Sequence, residues 1–262
     1  MMKILAHFLI LAGIFTGIFI GLQQIDFVKR AELDKLGERN AKRLGKVLLN
    51  TVLMTKQEVD SRETKAIIDS LKRPLCQASG LNPDSISIHL IRDEEVNAFA
   101  LPGNQIILNT GLFRFAENPE EVAGVLGHEL GHIKLDHLER KMIKEVGLTI
   151  LFTAAGGEGG QVLVKELLKM LSSSSFDREY EDEADAFAVT TMAKAGADPA
   201  YLSSFMLRIS REQNMPDELV FLSTHPDSKS RAANIVTLAS KEKVNPAKLI
   251  RTPWSDVQAI AR

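Results

Sequence analysis

The chain has 262 residues, 45% of them hydrophobic, 25% charged and 6% aromatic, a composition that excludes wholesale disorder and fibrous repeats. Its formal net charge of −2 removes the electrostatic basis for a nucleic-acid partner. A single cysteine, Cys76, excludes an intrachain disulfide and any cysteine-rich metal site, so a metal ion here has to be held by histidines and carboxylates.

Ile4 to Leu22 carries no formal charge and matches the about 20 apolar residues that cross the hydrocarbon core of a bilayer as a helix. Lys3 on the near side predicts a cytoplasmic N-terminus, a single span and an exported body. A cleaved signal peptide is the rival reading. Cleavage wants small residues two apart, yet Gly13, Gly17 and Gly21 follow Leu11, Phe15 and Phe19 at that distance, so residues 1–22 are expected to stay as an anchor. The three glycines recur every fourth residue, a stripe on which two such helices could pair as a homodimer, although glycine is also simply common in membrane helices.

From Asp26 to Arg73 the chain is charge-rich, with Leu33, Leu36, Leu44, Val47 and Leu48 at helical spacing. One or two amphipathic helices are expected there, with residues 23–65 as a connector and no proline until Pro74. Ser85 to Asp93 alternates apolar and polar residues and predicts a strand. In Asn97 to Leu112, Pro102-Gly103-Asn104 is a turn signal between two short strands, so a hairpin is expected. Gly156–Gly160 lacks the Lys-Ser/Thr of a phosphate-binding loop and, like Ser172–Ser175, reads as a connection between helices. Val146 to Ala155 is too short to span a membrane and reads as core helix. Trp254 and the tail beyond Lys241 read as peripheral.

Asn118-Pro119-Glu120-Glu121 is a helix start, with Asn118 as cap, proline at the first helical position and Glu121 placed to complete a capping box. Inside the helix lies His128-Glu129-Leu130-Gly131-His132. Residues four apart stand one turn above each other, so both imidazoles can reach one ion. Glu129, rotated ~100° from His128, is close enough to act on water held by the metal without being a ligand. Two neutral imidazoles suit Zn²⁺, which needs one more protein ligand and an open position for catalysis. His137 lies about 180° round a continued helix from His128 and is assigned to the surface. Arg178 to Asp185 offers carboxylates instead. Glu181 and Asp185 share a face, so one could bind the metal while the other accepts the N–H of a ligand histidine. The plainer alternative is an acidic helix start favoured by the helix dipole.

The sequence resembles the membrane-linked gluzincins that include HtpX, the Ste-type CAAX-processing proteases and the periplasmic BepA and LoiP proteases, peptidase family M48. The resemblance runs from about Ala66 to Ile235 and rests on four motifs in order. They are Asn97-Ala98-Phe99-Ala100-Leu101-Pro102-Gly103, the His128–His132 motif, Arg178 to Asp185 in the spacing R-x-x-E-x-x-A-D, and Ser223-Thr224-His225-Pro226 with Arg231 behind it. Asn104 departs from the family's second glycine and Asp177 from its serine, which touches turn geometry rather than ligands.

The resemblance implies that His128, His132 and Glu181 bind one zinc ion and that Glu129 is the general base. It implies Asp185 as the carboxylate behind a ligand, sometimes described as a proton donor. His225 is the candidate oxyanion donor, or else occupies the open zinc position and holds the enzyme latent. It implies an α+β, zincin-like domain over residues 66–262, mostly helical, with a small sheet against the zinc helix. The expected activity is a zinc metalloendopeptidase acting on unfolded or misassembled envelope proteins. Extended protein or peptide substrate would add to an exposed strand edge, with Ile106-Ile107-Leu108 as the candidate. A zinc-fold chaperone without proteolysis and a hydrolase of non-peptide substrates are the alternatives; an intact Glu129 argues against the first, and no feature supports the second.

Overall fold

Leu44, Leu48, Leu49 and Val52 recur in steps of one to four residues, and residues 38–53 form a helix (α1) that buries them, as an amphipathic segment does against a core. The computed structural model describes residues 38–142, 144, 161–173, 176–212, 220–225, 228–247, 249–250 and 252–261. The expected anchor with Gly13, Gly17 and Gly21, and the segment 146–155, lie outside them. Among the described residues no helix is long and apolar enough to cross a membrane.

Helix α2 (Arg62–Ser79) starts where the Ser61 hydroxyl accepts the Thr64 N–H at 3.0 Å, and stops at Gly80, whose φ of 70° suits glycine. It runs through Pro74, where an interruption was expected. Proline forfeits one backbone bond, but Leu71 and Leu75 on either side of it are fully buried, and that packing outweighs the loss.

A 3-10 turn at Pro83–Ser85 leads into β1 (Ser87–Ile91), β2 (Ala98–Leu101) and β3 (Gln105–Asn109), in the order β1-β3-β2. β1 runs parallel to β3, and β2 pairs with it antiparallel as the expected hairpin. At the turn, Gly103 has φ 76° and Asn104 φ 61°. Asparagine is among the few side-chain-bearing residues that enter this left-handed region readily, so Asn104 does the work of the family's glycine. The topology overturns one expectation. Ile106-Ile107-Leu108 is the central strand, bonded on both sides, and has no edge to offer a substrate; its continuous apolar run reflects burial on both faces. Ile106 and Leu108 face one apolar cluster with α2, while Ile107 faces another with α1.

The remaining elements are helices. They are α3 (Thr110–Phe115), α4 (Pro119–Lys134), α5 (137–142), α6 (Gln161–Ser173), α7 (Arg178–Ala195), α8 (Ala200–Ile209), α9 (Val220–Thr224), α10 (Ser228–Ala239) and α11 (Trp254–Ile260). The described chain is thus mostly helical with one small sheet, as expected. The tail is not peripheral. Leu249, Ile250, Val257 and Ala261 are buried in the main core, and Trp254 lies parallel to Phe113 at 6.2 Å while donating its indole N–H to the Ala116 carbonyl at 2.9 Å. Charged residues between Lys241 and Lys248 hid this from the sequence, because a short anchor of four apolar residues gives no periodic signal.

Candidate metal centre

Helix α4 starts as its sequence asks: the Asn118 side chain accepts the Glu121 N–H at 3.0 Å. The Glu121 carboxylate reaches back to the Glu117 N–H at 2.9 Å and is gripped by Arg208 of α8, a capping box extended by one residue. Three glycines then set the distance to the neighbouring helices. A Cβ on Gly131 would lie 3.1 Å from the Ala184 Cα, and one on Gly127 would meet Ala188 at 3.5 Å. Small residues on both sides let α4 and α7 cross closely, which carries Glu181 and Asp185 of α7 to the imidazoles of α4.

There His128, His132, Glu181 and His225 each present one ligand atom, and these atoms lie within 4.8 Å of one another. All four side chains are buried. His128 and His132 turn Nε2 to the centre, 3.0 Å apart, and Glu181 lies 3.5 Å from both. His128 donates from Nδ1 to Asp185 at 2.9 Å. Arg231 of α10, fully buried, donates to both oxygens of Asp185 at 2.7 and 2.8 Å and also grips Glu181. His225, just beyond α9, places Nδ1 3.0 Å from Glu181 and 3.2 Å from His128 Nε2, with Nε2 3.4 Å from Glu129. The structure therefore brings together every residue the sequence singled out.

The electrostatics fit a divalent cation. Glu129, Glu181 and Asp185 are all buried against one buried guanidinium, leaving a surplus of two negative charges when the imidazoles are neutral. Burial alone would raise the Glu181 carboxyl, but the surrounding His225, His128 and His132 hold it well below the usual range. Asp185 and Glu129 are likewise pulled down against burial, the first chiefly by Arg231 and the second chiefly by His225. Burial lowers His132 to about 4, whereas bonds to Asp185 and Glu181 overcome burial and push His128 up to about 9. Glu129 Oε1 is buried and faces His225 Nε2 at 3.4 Å, longer than a well-formed hydrogen bond. The donor set, two imidazole nitrogens and a carboxylate with a further position, is one zinc accepts.

One assignment is corrected. His137 is not on the surface: it is fully buried, 3.1 Å from His132 and 2.9 Å from Glu183. The 180° placement presumed that α4 continued. It ends at Lys134, and Asp136 at φ 57° turns the chain so that His137 comes back under His132. Two aromatic walls were also missed. Phe176 stacks on His132 at 4.0 Å, and Phe221 packs against His225 at 4.4 Å. Phe221 stands four residues before His225, a helical spacing that could have revealed it; Phe176 gave no signal.

A buried His/Glu cluster on closely crossed helices beside a small sheet defines a helical metallohydrolase centre. Residues 60–239 match the family model described as peptidase family M48, and the chain belongs to that family. M48 metalloproteases use zinc, and this cluster is able to bind the ion. The chain is 31% identical over 173 residues to a beta-barrel assembly-enhancing protease of Yersinia pestis, covering 60% of this chain and 35% of the relative. It is 29% identical over 191 residues to the metalloprotease LoiP of Escherichia coli K12, covering 68% and 75%. With the mitochondrial metalloendopeptidase OMA1 of Schizosaccharomyces pombe it shares 29% over 175 residues, covering 66% and 52%. The matched part spans about a third of the length of the beta-barrel assembly-enhancing proteases.

Proposed function

We propose that this protein is a zinc-dependent metalloendopeptidase acting on unfolded or misassembled proteins of the bacterial envelope, with its peptidase part in the periplasm and residues 1–22 as a membrane anchor. The observation that carries the reading is the buried cluster of His128, His132 and Glu181, with the buried Glu129 beside it. The names of the relatives support the envelope setting.

In this reading His128 Nε2, His132 Nε2 and the Glu181 carboxylate hold the ion. Zinc bound there supplies a Lewis acid that makes water acidic near neutral pH and polarises a peptide carbonyl. Glu129, kept ionised, takes the proton from water and returns it to the leaving amine. Asp185 fixes the His128 tautomer, and Arg231 fixes Asp185 and Glu181. Phe176 and Phe221 keep bulk water from the imidazoles. The peptide adds to β2, an edge strand that packs against α4, rather than to β3. His225 sits among the ligand atoms, 3.0 Å from Glu181, where an incoming substrate has to go, so it acts as a plug.

Hydrolysis of casein by the purified chain, lost to 1,10-phenanthroline and restored by zinc, tests the reading; zinc-loaded protein that leaves casein intact both as wild type and as His225→Ala would refute it. His225→Ala separates the two roles of that residue. Removal of a plug raises hydrolysis, whereas removal of an oxyanion donor costs about 10²–10³-fold.

A further inference from the structure

His137 and Glu183 form a second chain of contacts into the centre, on the side opposite Asp185. Its order can be worked out from the outside inward. Glu183, half exposed on α7, is a carboxylate that only accepts, so His137 donates to it from Nε2 at 2.9 Å. In an imidazole whose hydrogen sits on Nε2, Nδ1 is bare and accepts. The bare Nδ1 lies 3.1 Å from His132 Nδ1, which must therefore carry the hydrogen. His132 is left with a bare Nε2, the atom that faces the cluster. Tyr180 lies flat on the His137 ring at 4.5 Å, with 8° between the planes, and prevents it from turning. His128 has its carboxylate directly behind it, whereas among the described residues His132 has none in contact with its outer nitrogen.

We propose that His137, oriented by Glu183 and Tyr180, is a positioning residue that fixes the tautomer and direction of His132 for the metal. The inference rests on the zinc-site reading given above and deepens it. Partners of this kind are worth ~10–100-fold in metal affinity.

The test is the zinc dissociation constant of the full-length protein, measured by competition with a chromogenic chelator, alongside the melting temperature of the metal-free form. His137→Phe keeps the ring that stacks on Tyr180 and removes both nitrogens; zinc binding weakens by ~10–100-fold. His137→Asn, which returns an acceptor oxygen near the Nδ1 position, recovers most of that loss. Glu183→Ala, at a half-exposed site where folding is not in question, weakens binding by about tenfold, the lower end of that range. Zinc affinity within twofold of wild type in His137→Phe and Glu183→Ala would overturn the proposal. Should His137→Phe fail to fold, Glu183→Ala decides alone on the same criterion. A wild-type chain that takes up no zinc would instead overturn the site reading itself, so the two failures are distinguishable.

Discussion

Asp185 bears on the centre in two directions at once, since it accepts from His128 and is clamped by Arg231. Asp185→Asn keeps an acceptor but loses the charge that raises imidazole basicity. Hydrolysis is expected to fall ~10–100-fold, against a greater loss for Glu181→Gln, because a partner behind a ligand matters less than a ligand. Activity of Asp185→Asn within twofold of wild type would show that the contact is only structural. Cys76 offers a prediction remote from the site. Burial pushes its thiol up to about 11, so at pH 8 the thiolate is about one part in a thousand, and iodoacetamide should label it only after unfolding. The sign for stability follows. A raised acid contributes fully below its ordinary value of 9.0 and is lost as pH rises toward 11, so Cys76→Ala should flatten that alkaline decline. Native labelling at pH 8 would contradict the burial.

At the scale of elements, the crossing of α4 and α7 decides whether ligands from two helices meet. Gly131→Leu has no room against Ala184; overpacking of this kind costs about 1–3 kcal/mol, and parting the helices moves Glu181 from the imidazoles. Both the melting temperature and zinc occupancy should drop, whereas retention of full zinc would show that the spacing is slack. The same elements show what a sequence can and cannot reveal. The i, i+4 spacing of His128 and His132 is local, as is that of Glu181 and Asp185, so each face was legible before any fold was known. That the two faces meet followed from the family resemblance and not from either spacing. His137 was misplaced because the positive φ of Asp136, not the helical period, sets its direction. β3 was misjudged because an apolar run reports burial and never which strands lie alongside.

Over the whole molecule, the tail and the metal centre share one core: Phe221 packs near His128 as well as Phe205, and Val257 and Trp254 close the same cluster. Trp254 is the only tryptophan, so its fluorescence reports tail docking. Unfolding followed by fluorescence and by far-ultraviolet circular dichroism should coincide, as for a cooperative unit; an earlier fluorescence transition would mean a detachable tail. Zinc held by His128, His132 and Glu181 would join α4 to α7, so its removal should lower the melting temperature. A ligand at a hundred times its Kd stabilises the native state by about 2.7 kcal/mol. General-base action by Glu129 is what would turn a metal centre into a peptidase. Its most direct test is the casein hydrolysis rate of Glu129→Gln beside its zinc content measured by atomic absorption. One zinc per chain with hydrolysis reduced to background is the predicted result; hydrolysis at the wild-type rate with the same zinc content would contradict it.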